Sequence, residues 1–267
     1  MKQPVSVLIT SLPGVFEVSL REFVRLGFAH VDLIGKAERP DHERAALADS
    51  GLIVDCVALG RDLPAGCSLD ADNVTLRRRA VEHVERQIVD AAQLGARVAY
   101  VVQPKAEAAL PAFADACGVL AAFARGRMTQ FCVEHFPGSA LPTAKGTLAW
   151  LPDDVKLVLD LGHCLISTED PCQVVEAAGD RLGYVQLDDN DGVGDVHWPL
   201  LTGTLSEAML GALLRRLDDS SYHGGIALEL NGTLPDAVGN LARSKKLVEQ
   251  LLNASALAAL ILGLAGV

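Results

Sequence analysis

The sequence lacks most of the features that would assign it a class directly. Its six cysteines, at positions 56, 67, 117, 132, 164 and 172, form no CxxC pair and no tight cluster. That excludes a zinc ribbon and argues against a disulfide framework, so reduced thiols in a cytoplasmic setting are expected. Positive charge is scarce: 23 Lys+Arg stand against 34 Asp+Glu, a net charge of −11. Such a chain repels phosphate backbones, and no nucleic-acid partner is expected. The turn after the first apolar run, Ser11-Leu12-Pro13-Gly14, carries neither GxGxxG nor GxxxxGK followed by Ser or Thr. The usual marks of a nucleotide-binding open sheet are therefore missing. Long hydrophobic runs are missing too. The first, Val5 to Leu12, is broken by Pro13 and followed by Glu17, and it reads as a strand rather than an export signal. The uncharged end, Ala254 to Val267, has 14 residues, fewer than the roughly 20 a membrane helix needs. A terminal helix packed on its own domain or on a second subunit is expected there, which allows a homo-oligomer and disfavours a membrane.

What is present is half hydrophobic and 21% charged, a globular composition. Short apolar runs alternate with longer amphipathic stretches. The runs are Val5–Thr10, Ala29–Ile34, Ile53–Leu59, Val98–Gln103, Gln130–His135, Lys156–Asp160, Gly183–Asp188 and Gly225–Leu230. Most are apolar on both faces, as strands buried between layers should be. Helical patterns fill the gaps, from Val18–Leu26 to Leu234–Leu252. Eight β/α pairs predict an α/β fold, a single-domain (β/α)8 TIM barrel over residues 1–252 with an apolar tail at 253–267.

Active sites of such barrels lie at the C-terminal ends of the strands. There the last four strands carry Glu134, Asp160, Gln186 and Glu229, each preceded by an aliphatic: Val133, Leu159, Val185 and Leu228. Alternation turns the aliphatics toward the helices and the polar residues toward the barrel axis. Three converging carboxylates need cations or protons. The only basic residue in these strands, Lys156, begins its strand at the opposite end. A divalent metal is the natural partner, with oxygen-rich ligation favouring Mn²⁺ or Mg²⁺ over Zn²⁺ or Co²⁺.

The ordered segments VEHFPGS (133–139), LDLGHCLISTEDP (159–171), YVQLDDNDG (184–192), DVHWPLLTGTL (195–205) and GGIALEL (224–230) resemble the xylose-isomerase-like TIM-barrel family. That family holds sugar and sugar-phosphate isomerases and epimerases, together with endonucleases acting at abasic sites. The resemblance implies that Glu134, Asp160 and Glu229 ligate one metal and that His163 contacts substrate or a second metal. The family's fourth ligand is a histidine where this chain has Gln186, whose amide oxygen is a weaker donor to transition metals. Asp188, two residues on along the same face, is a possible substitute. Asp195 and His197 match an Asp-x-His that faces substrate in the sugar branch. In the first half, Asp32 stands at a strand end that is usually Glu. Thr202-Gly203-Thr204 is either a phosphate cradle or a plain helix cap.

The implied activity is metal-dependent isomerisation or epimerisation of a small sugar, sugar phosphate or polyol-ketone. Glu134 and Glu229 would serve as the acid/base pair, and His163, His197 and Asp195 would orient substrate. The alternatives are a lyase or dehydratase on the same site, or a non-catalytic ligand- or partner-binding barrel with a decayed metal site.

Overall fold

A computed structural model describes residues 3–264, with side chains described through residue 254. Among these residues eight parallel strands form one sheet: β1 (Val5–Val7), β2 (His30–Ile34), β3 (Ile53–Ala58), β4 (Val98–Val102), β5 (Gln130–Glu134), β6 (Lys156–Asp160), β7 (Leu182–Leu187) and β8 (Ile226–Leu228). Each strand pairs with its neighbour in sequence, and β1 pairs with β8. The seam between β1 and β2 is closed by a single parallel bridge, Leu8 to Asp32. The expected single-domain (β/α)8 barrel is the fold observed.

The helices between the strands are α1 (Phe16–Arg25), α2 (Asp41–Ser50), α3 (Val74–Gln93), α4 (Leu110–Arg125), α5 (Ala144–Trp150), α6 (Leu161–Ile166), α7 (Pro171–Ala178), α8 (Glu207–Asp218) and α9 (Ala237–Leu264). Polar caps start several of them by accepting orphan amides: Asn73 for α3, Asp170 for α7 and Ser206 for α8. Two apolar layers explain why the strand runs are apolar on both faces. Val133, Leu159, Val185 and Leu228 belong to the outer core beneath the helices. Cys56, Ala58, Val98, Tyr100, Cys132, Val158, Tyr184 and Ala227 fill the barrel interior.

The structure departs from the sequence reading in three places. The first strand stops at Val7, because the chain turns into a short 3-10 segment at Ile9–Ser11. Asp160 caps a short helix, α6, that the apolar pattern did not mark. Asp32 lies in mid-strand, inside the barrel below the site, where its carboxylate accepts from the Ser6 hydroxyl at 2.6 Å and the Tyr184 phenol at 2.9 Å. Burial pushes its pKa up to about 8.

One stretch among the described residues, Glu107–Arg125, is long and apolar enough to cross a bilayer. Its Phe113, Cys117, Leu120 and Ala124 pack into the outer core. The last helix passes Asn253 without a break. The expected packing of the uncharged tail falls on side chains outside the described residues.

Candidate active site

The strand ends bring Glu134, Asp160, Gln186 and Glu229 to one mouth, as the alternation requires. Glu134, Asp160 and Gln186 are buried, and Glu229 is partly so. Asp160 does two things there. Its Oδ1 accepts the backbone N–H of His163 at 2.7 Å, while its Oδ2 is buried without a hydrogen-bond partner. The α6 turn so formed presents the His163 ring, whose Nδ1–H donates to the His135 carbonyl at 2.8 Å. That bond directs Nε2 toward Asp195 Oδ1 at 3.3 Å. Phe136 packs edge-on against the ring at 4.9 Å between centroids. His135 itself is buried behind the site, so its contribution to the mouth is its carbonyl.

Asp195 bridges the two histidines expected to meet substrate, since His197 Nε2 lies 3.2 Å from the same oxygen. On its other side, His197 Nδ1 approaches Asp188 Oδ2 at 2.7 Å. His197 occupies the left-handed region, φ +48°, a conformation costing a non-glycine residue about 1–2 kcal/mol. Its carbonyl accepts the Asn231 N–H at 2.7 Å, which ties this strained residue to the segment after β8. Strain held in place at a polar mouth is the pattern of a functional position.

Two glycines permit this packing. A Cβ on Gly162 would collide with the Asp188 carboxylate, and one on Gly203 with the Asn190 carbonyl. The Thr202-Gly203-Thr204 segment is not a phosphate cradle. Asp189 accepts the Gly203 amide at 2.7 Å and the Leu205 amide at 2.9 Å, and the Asn190 carbonyl takes that of Thr204 at 2.8 Å. The cap of α8 is Ser206. The segment is a loop clamp that fixes the chain after β7.

Electrostatics separate the acids. Burial raises Glu134 to about 8 and Asp188 to about 8, the latter helped by repulsion from Asp160. Glu229 is raised by burial as well. For His163 burial works downward but is outweighed by Asp160, Asp195 and Glu134, which push it up to about 10. For His197 the same opposition ends at about 12, through Asp188 and Asp195. Partial burial works to raise Asp195, but the two histidines outweigh it and hold the carboxyl below its ordinary range.

The donor set fits a divalent cation. Asp160 Oδ2, Gln186 Oε1 and Asp188 Oδ1 are buried with no hydrogen-bond partner. Ligand atoms of Glu134, Asp160 and His163 lie within 4.8 Å of one another, and so do those of Asp188, Asp195 and His197. Among the described residues, no lysine or arginine forms an ion pair with Glu134, Asp160, Asp188 or Glu229; the pairs at these acids are to histidine. Buried acids left in this state call for a cation or a proton.

Two residues were not singled out from the sequence. Tyr100, on β4, places its hydroxyl 3.1 Å from Gln186 Nε2, which also donates to Glu229. Arg61 lies just past the turn that ends β3. Partial burial works to lower its pKa, but Tyr100, Glu134 and Glu229 outweigh it and raise it. Its position one residue beyond a strand-end glycine, at the catalytic end of the barrel, was the available signal.

No curated protein matches the chain by sequence. Solved structures do match in fold. An L-ribulose 3-epimerase is 18% identical with a TM-score of 0.80, covering 98% of each chain. A D-tagatose 3-epimerase-like protein is 17% identical with a TM-score of 0.78, covering 97% of this chain and 100% of its own. A 3-keto-D-glucoside 4-epimerase from E. coli is 18% identical with a TM-score of 0.78, covering 93% of this chain and 100% of its own. At such identities the likeness establishes a shared fold. The sequence adds the family: residues 20–251 match, and the chain belongs to the xylose isomerase-like TIM barrel family.

Proposed function

We propose that the protein is a metal-dependent epimerase or isomerase of a small ketose or related polyol-ketone, with Glu134 and Glu229 as its acid/base pair. The observation that carries this reading is the set of buried, partnerless oxygens on Asp160, Gln186 and Asp188 beside those two glutamates. Support comes also from the sugar epimerases named above, which share the fold. Glu134, Asp160, Gln186 and Glu229 would hold the ion, with Asp188 as a further oxygen donor. An all-oxygen set suits Mn²⁺ or Mg²⁺ best. The chemistry supplied by a bound divalent ion is Lewis-acid polarisation of a carbonyl.

The chain's own residues do the rest. One glutamate removes the proton α to the carbonyl, and the other returns a proton to the neighbouring carbon or the opposite face. Burial raises the carboxyl pKa of both glutamates, which strengthens each as a base. His163 and His197, charged and held on Asp195 Oδ1, fix that carboxylate at the mouth, where its other oxygen would accept from a substrate hydroxyl. Elemental analysis of the purified protein, followed by metal-dependent solvent-deuterium incorporation over a panel of ketoses and their phosphates, tests the proposal. Incorporation at carbon is expected. A protein that binds neither Mn²⁺ nor Zn²⁺ and incorporates no deuterium is a non-catalytic barrel.

A further inference from the structure

We infer that Arg61 is an anion receptor at the mouth of the site, and that the substrate carries a carboxylate or phosphate substituent at the end away from the reacting carbons. The inference rests on the epimerase or isomerase reading and names the substrate class for that same site.

Arg61 is presented by a clamped turn. The residue before it is fixed by the Gly60 N–H donating to Gln87 Oε1 at 2.8 Å. The residue after it is fixed through Asp62, whose Oδ1 lies 3.0 Å from His83 Nε2 and accepts from Gln87 Nε2. Gln87 is fully buried on α3 and also donates to the Gly35 carbonyl at 3.1 Å. Both flanks of Arg61 are thus tied to one buried amide. Arg61 lines two cavities: one of about 380 Å³ shared with His197 and Glu229, and one of about 190 Å³ lined also by Leu63, Val101 and Phe113.

Arginines 25, 39, 44, 78, 97, 125, 216 and 243 all form ion pairs in the described structure. Arg61 forms none; among the described residues seven other arginines also form none, but Arg61 is the one that borders the cavity of His197 and Glu229. An arginine on a rigid turn, with the Tyr100 hydroxyl beside it and no carboxylate inside 4 Å, keeps most of its fork of donors for a ligand. The fork matches carboxylate and phosphate geometry bidentately. A local cation also answers a physical need, because a chain of net charge −11 repels an anionic substrate until a fixed positive group captures it. A ketose with its carbonyl beside Glu229 would extend its far end into the cavity that Arg61 borders.

Three ligands matched in carbon skeleton separate the possibilities: D-fructose, D-fructose 6-phosphate and D-fructuronate, which carries its carboxylate at C6. The full chain loaded with Mn²⁺ would be measured in two ways, by kcat/KM for solvent-deuterium incorporation and by calorimetric binding. At least one anionic member is expected to exceed fructose about tenfold in affinity and kcat/KM, and the better of the two identifies phosphate or carboxylate. In Arg61→Gln that ratio should collapse toward one, and Arg61→Lys, which keeps the charge but loses the fork, should recover part of it. Equal binding of all three ligands, no binding of any, or a preference that survives in Arg61→Gln overturns the inference. Binding alone distinguishes it from the activity. If no ligand incorporates deuterium but an anionic one binds the wild type more tightly than Arg61→Gln, the epimerase reading falls and the receptor stands.

Discussion

Between β2 and α3, Arg39 is buried with Asp90 and Glu43, and every carboxylate oxygen there has a partner. Asp90 accepts from Arg39 at 2.9 Å and from Arg44 at 2.7 Å, while Glu43 accepts from Arg39 at 3.0 Å and from Lys36 at 2.5 Å. At the mouth of the barrel, Asp160, Asp188 and Gln186 are equally buried, yet each keeps one oxygen with no hydrogen-bond partner. Both clusters bear the desolvation cost of burial. In the first, arginine repays it, and the result is a brace between two helices and a loop. In the second, repayment is left to something outside the chain. Buried charge therefore identifies a site only when its partners are counted, because a saturated cluster has nothing left to offer a ligand.

The comparison breaks first at Arg39. Replacing it with Met leaves Asp90 and Glu43 buried with half their partners, and should lower unfolding free energy by about 3 kcal/mol. Denaturant titration measures it, and a loss below about 1 kcal/mol would place the brace among the interactions that barely matter. At the mouth the balance reverses. Glu134→Gln keeps the size of the side chain and removes its base, so turnover should fall by about 10²-fold or more while denaturation stays near wild type. A variant that loses stability and keeps activity would assign Glu134 to the brace class.

A smaller effect tests the weakest donor. Gln186→His supplies the imidazole that the family's ligand set has at this position, and affinity for Zn²⁺ or Co²⁺ should rise about tenfold. Calorimetric titration of both proteins decides it, and an unchanged affinity would remove Gln186 from the ligand set.

An effect confined to raised pH concerns Asp32, an acid in neither cluster. Its carboxyl is held up to about 8 by burial, whereas in the unfolded chain it ionises in the ordinary range near 4. The folded state therefore keeps a proton that the unfolded state releases, and this contribution to stability declines as pH rises from about 4 to 8. Asp32→Asn can still accept from Ser6 and Tyr184 and should flatten that decline, so that the variant gains on the wild type as pH rises toward 8. Parallel pH dependences in the two proteins would show that Asp32 ionises normally.

Much of this was open to reading without a structure. Period-two alternation alone separated Glu134, Asp160, Gln186 and Glu229 from Val133, Leu159, Val185 and Leu228, because in a closed sheet consecutive side chains must point to opposite faces. Eight apolar runs, each with a helical stretch to follow, left a closed barrel as the economical arrangement. Three-dimensional arrangement decided the remainder. Arg61 and Tyr100 come from the first half of the chain, 30 or more residues from the nearest site residue, and only closure of the barrel brings them to Gln186 and the glutamates. No periodicity marks that Asp189, rather than a phosphate, takes the amides after Thr202, because hydrogen bonds between loops leave no repeat in a sequence. The strand pattern is local and so is written in the order of residues. Which oxygens end up without partners depends on every side chain that closes around them, and that is decided only when the fold is complete.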